Sequence, residues 1–193
     1  MCRFFSKEII MGALTTQGTG PGAASNIKPL VFNGSVKAAN LDPMAVQDNL
    51  ASESKILVIS ASAATLTEAD HAGKILVLDR AAGITVTLPA SSGKGAKYTF
   101  MVKTTVTSNN DIIKVANTSD SFVGRALACA DGGSGINGWE VASGDDTITL
   151  NGSTKGGYAG DTIELVDIGG NLFVVNAFLN QTASEATPFS ATV

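Results

Sequence analysis

The sequence predicts an all-β protein: a β-sandwich or jelly-roll-like body carrying an extended N-terminal arm. Three observations lead there. Glycine supplies 21 of the 193 residues, while 16% are charged and 6% aromatic, the balance of short strands joined by tight turns. In the stretch 84–89, Ile84, Val86 and Leu88 point one way and Thr85 and Thr87 the other, the period-2 pattern of a half-buried strand. Similar stretches then recur at short spacing, separated by Gly, Ser, Asn and Asp, down to the C-terminus.

The arm comes first. Residues 11–25, MGALTTQGTGPGAAS, are small, polar and Gly-rich, so 1–25 is expected to be a flexible arm with little to bury. Residues 1–10 differ in composition and read as an extension from a start codon upstream of Met11-Gly12. They contain no long apolar run, and no signal peptide is expected. Residues 26–60 form a mixed connecting region. Within it, 27–32 reads as an edge strand because of Pro29. Asp42-Pro43 opens a short helix with Val46 and Leu50 on one face, and 55–60 reads as a strand.

The sandwich domain is expected over 61–193. Thr67 caps a single helical turn that ends near Gly73. Residues 75–78 are apolar on both faces, as in a strand covered on both sides. The link 79–83 ends in Gly83 and suggests a hairpin to the strand at 84–88. Tyr98, Phe100 and Val102 share one face of the next strand. Further strands are expected at 112–116, 122–130, 139–142, 147–150, 162–167 and 172–179. Residues 84–102 and 147–166 echo each other as strand, Gly-rich loop, strand.

The last long strand is apolar on both faces. Leu172, Val174 and Phe178 lie on one; Phe173, Val175, Ala177 and Leu179 lie on the other. A two-sheet sandwich leaves one face wet, so the second is covered either by another element of the chain or by another subunit. The candidate subunit interface is Phe173, Val175, Ala177 and Leu179, with Phe189 of the polar tail as an anchor.

Few motifs carry chemistry. The chain has a formal charge of −4 and no basic run, so no nucleic-acid partner is expected. No apolar run reaches the roughly 18–20 residues of a membrane span. Cys2 and Cys129 make no disulfide framework, which fits synthesis in a reducing cytosol. Four N-x-S/T sequons, at Asn33, Asn117, Asn151 and Asn180, read as turn composition. GSGING at 133–138 matches G-x-G-x-x-G, but Trp139-Glu140-Val141 follows as a strand where a phosphate site needs a helix. It reads as a hairpin loop.

His71 is the only histidine and has no nucleophile elbow to serve. One His and two distant Cys do not make a zinc site. Glycoside hydrolysis would need a pair of carboxylates from Asp131, Glu140, Asp145, Asp146, Asp161 and Glu164. The same residues lack the calcium-loop spacing. No catalytic residue, cofactor or metal is assigned, and a non-enzymatic role is expected.

The strings HAGKILVLDRAAGITVTLPASSGKGAKYTFMV (71–102), NDIIKVAN (110–117), DTITLNGSTKGG (146–157), GDTIELVDI (160–168) and EATPFSATV (185–193) carry a resemblance. So does the opening ALTTQGTG at 13–20. From Thr67 onward the chain resembles capsid decoration (cement) proteins of tailed double-stranded DNA bacteriophages, of the marine and cyanophage type. The resemblance implies a virion component made in the host cytoplasm. It would bind the major capsid protein on the outside of the shell, as a homotrimer, with no catalytic residues to carry over. An alternative is a head-fibre or tail-associated receptor- or carbohydrate-binding module, whose loop aromatics would be Trp139 and Tyr158.

Overall fold

The computed structural model describes residues 55–193. The arm, the strand at 27–32 and the helix at Asp42-Pro43 lie outside these residues. The described residues form an all-β sandwich of two mixed sheets, with one helical turn.

The chain begins by winding between the two sheets. It runs through β1 (Ile56–Ile59), β2 (Ala63–Thr65), α1 (Glu68–His71), β3 (Ile75–Leu78), β4 (Thr85–Thr87), β5 (Lys97–Val102) and β6 (Asp111–Lys114). Strands β1, β3 and β5 lie side by side and parallel in one sheet; β2, β4 and β6 do the same in the other. Each turn thus adds one short strand to each sheet. Then come β7 (Ser121–Ala130), β8 (Gly135–Glu140), β9 (Thr147–Leu150), β10 (Thr162–Gly169), β11 (Leu172–Gln181) and β12 (Phe189–Ser190). The seven-stranded sheet has the order β1-β3-β5-β10-β11-β7-β8, and the five-stranded sheet β12-β9-β6-β4-β2.

Register explains the core. Leu57, Leu76, Phe100, Ile163, Ala177, Ala126 and Trp139 are successive Cα partners across the larger sheet. Ala64, Val86, Ile113, Ile148 and Phe189 form the matching row of the smaller one. All of these side chains belong to, or pack against, one hydrophobic cluster. Stacking such inner rows face to face removes apolar surface from water, which is the main stabilising term.

Several expectations are met. Strand β9 has the bounds read from the sequence. Thr67 caps α1, its hydroxyl accepting from the Asp70 N–H, and Gly73 follows at φ +75°. Tyr98, Phe100 and Val102 point into the core. The echoing stretches both cross from the smaller sheet to the larger, β4 to β5 and β9 to β10.

Others are corrected. Strands β3 and β4 do not form a hairpin, because they belong to different sheets. Both turn their most buried residues, Leu76, Leu78 and Val86, toward the same core, so the link 79–83 must round a corner. The strand at 55–60 belongs to the body rather than to a connecting region, since β1 pairs in register with β3. The GSGING loop is shorter than expected, with Gly135 to Gly138 already in β8. The polar tail, expected to carry an anchor for a second subunit, packs onto its own chain. Strand β12 pairs with β9, and Asp146 holds the Thr192 and Val193 N–H groups.

The candidate subunit interface also requires correction. Phe173, Val175, Ala177, Leu179 and Phe189 are each at most 4% exposed and lie in the chain's own core. The smaller sheet covers that face of β11, so the apolar side left to solvent is the opposite one.

Candidate interaction surface

The acidic side chains are the natural place to look for a reactive centre, and they serve as ties between loops. Asp161 accepts from the Gly157 and Tyr158 N–H groups through Oδ2, and from the Asn180 N–H and Nδ2 through Oδ1. Burial pushes its carboxyl upward despite those donors. Asp167 accepts from the Ser92, Gly93 and Gly169 N–H groups and from the Ser91 and Ser92 hydroxyls. Burial would raise its carboxyl, but the Ser92, Gly169, Ser91 and Gly93 donors together hold it down at about 2. Asp120 ties Ser91 to Asn117.

The other carboxylates considered for glycoside hydrolysis each have a donor or a cation beside them. Asp145 accepts from the Ala142 N–H, and Asp131 from that of Ala183. Glu164 is paired with Lys97 at 2.6 Å. Glu140 lies opposite Arg125. Asp146 is occupied by the C-terminal N–H groups and the Thr147 hydroxyl. His71 folds back on its own helical turn, with Nδ1 accepting from the Thr67 N–H. Among the described residues, no three His, Cys, Asp or Glu side chains are grouped to hold a metal ion.

The two candidate sugar-stacking aromatics are engaged internally. Trp139 packs against the core, and its Nε1 donates to Gln181 Oε1 at 3.0 Å. Tyr158 is half-buried, with its hydroxyl 2.9 Å from that of Thr182. A cleft of about 420 Å³ is lined by Arg80 with Ser62, Thr85, Asn109 and Asn110, and no carboxylate or histidine is among its lining residues.

What stands out is the outer face of the seven-stranded sheet. Val58, Val77, Met101, Thr162, Phe178, Leu127 and Gly138 are successive Cα partners, one from each strand. Their row crosses the whole sheet. Val58, Met101, Leu127 and Phe178 are exposed, Phe178 by 64%. A row of mixed polarity runs beside it: Thr99, Glu164, Asn176, Arg125 and Glu140. Cys129 is exposed on the same face of β7, two residues beyond Leu127.

These features define a class: an all-β sandwich whose distinctive surface is a mostly apolar row across one sheet, broken by Thr162. No family model matches the chain, and no curated protein or solved structure does either.

The stripe was half legible in the sequence. Phe178 and Val174 were placed on one face of β11 from their spacing. Which face would be wet depends on the smaller sheet, and local alternation carries no information about that.

Proposed function

We propose that this chain is a virion structural protein. It binds the outer surface of a bacteriophage capsid as a decoration protein and stabilises the shell. The sequence resemblance supplies the setting, and the apolar stripe is the observation that supports a binding role. Large exposed apolar patches mark interaction sites, and this row carries four exposed apolar side chains, with Thr162 between Met101 and Phe178. A shell repeats the same site many times, so a modest contact per copy suffices, and binding to the assembled state stabilises it by mass action. The partner is the major capsid protein. The threefold grouping that the resemblance implies would be imposed by the shell, which holds three copies around an axis.

The Val58–Met101 end of the stripe is the surface assigned to the shell. The test adds purified chain to shells that lack it and follows co-sedimentation and shell melting. Saturable binding at a fixed ratio to capsid subunits, with a raised shell melting temperature, is expected. Met101→Glu should weaken that binding at least tenfold. Absence of binding would contradict the proposal.

A further inference from the structure

We infer that two copies of this chain pair face to face through the β11-β7-β8 end of the larger sheet. This goes beyond the shell-binding reading and does not depend on it. The geometry is a knob beside a hollow. Phe178 on β11, Leu127 on β7 and Gly138 on β8 are consecutive partners in one row. Phe178 projects, being 64% exposed. Gly138 leaves a gap, part of an open cleft of about 420 Å³ that Arg125, Leu127 and Glu140 also line. The two features lie one strand to either side of Leu127, roughly 4.8 Å each way.

A two-fold axis between stacked sheets, running along the strands above Leu127, exchanges those two sides. Phe178 of each copy then faces Gly138 of the partner subunit, and the two Leu127 side chains meet on the axis. An isologous contact requires such self-complementarity: a patch that fits itself on rotation. Aligned sheets pack face to face about 10 Å apart, with their strands within about 30° of each other.

The charges agree. In the neighbouring row, Asn176, Arg125 and Glu140 are consecutive partners. The rotation that joins the two Leu127 side chains also sets Arg125 against Arg125 of the partner subunit, with Glu140 of each copy flanking that pair. The cluster is neutral, although the chain as a whole carries −4. A strongly charged partner would find no complement here, whereas a second copy does.

Area sets the strength. Strands β7 and β11 are ten residues long but β8 is six, so the mated strip is roughly 14 Å wide and about 20–33 Å long, and the pair buries on the order of 700 Å² in total, in the range of weak, transient contacts. The association is therefore expected to be weak and concentration-dependent.

Sedimentation velocity on the full chain tests this. The expected result is a rise with concentration from 19.6 kDa to twice that mass. Phe178→Ser and Gly138→Val should each weaken pairing at least tenfold. Both should fold, because Phe178 is exposed and a Cβ at Gly138 meets only Leu127 Cδ2, at 3.7 Å. If Gly138→Val does not fold, Phe178→Ser alone decides. In a Cys2→Ser background, a short bis-maleimide should link Cys129 to Cys129 of the partner subunit, since both lie near the axis. A monomer at all concentrations, including one in which the chain's own N-terminal residues shield Phe178, would overturn the pairing. So would a threefold mass, or a dimer indifferent to both substitutions.

Discussion

Asp111 points into the core from β6 with one oxygen unmatched. Its Oδ1 accepts from the Ile84 N–H at 2.9 Å, while Oδ2 has no partner. Burial pushes the carboxyl up to about 6, only partly offset by the Ile84 bond. The folded chain therefore holds this proton more tightly than the unfolded chain does. Stability is unaffected by this group below about pH 4, falls as pH rises toward 6, and is then level, the total change being about 3 kcal/mol. Asp111→Asn keeps the Ile84 acceptor and removes the charge. Its melting temperature relative to the parent should increase between pH 4.5 and 7; a constant difference would contradict this. Asp167 has the opposite sign. Its depressed carboxyl stabilises the fold above about pH 4, an effect lost as pH falls through 2. Asp167→Ala strands several N–H donors and should cost about 2–4 kcal/mol at pH 7 in urea unfolding, with a smaller loss near pH 2.

At the scale of elements, close backbone packing limits what β7 tolerates. Gly124 has φ +125°, and a Cβ there would run into the Val175 carbonyl oxygen of β11. Gly124→Ala should destabilise by about 2 kcal/mol or more, read by urea melts, because strain and a clash act together. Strand β12 is two residues long, yet Phe189 is 4% exposed and completes the inner row of the smaller sheet. Phe189→Ala should cost about 3–5 kcal/mol, as a buried aromatic does. Alternation made β4, β5 and β9 legible, and Thr67 marked α1. Strand β2 was not legible, since Ala63, Ala64 and Thr65 gain strand character only from parallel pairing with β4. The crossing from β3 to β4 was missed because a five-residue Gly link suits a hairpin and a corner equally. The acidic ties were missed because an Asp beside a turn reads the same whether it faces water or gathers N–H donors.

For the whole molecule, the two sheets divide the work. The smaller sheet seals the core with the help of β12 and the tail. The larger sheet turns one face inward and leaves an apolar row on the other. Both proposed contacts use that row. The most direct measurement is cryo-electron microscopy of phage particles made with this chain. The account predicts sandwich-shaped density outside the shell, with the seven-stranded sheet's outer face against a neighbouring molecule. Particles lacking the chain, or density with that face wholly bare to solvent, would contradict it.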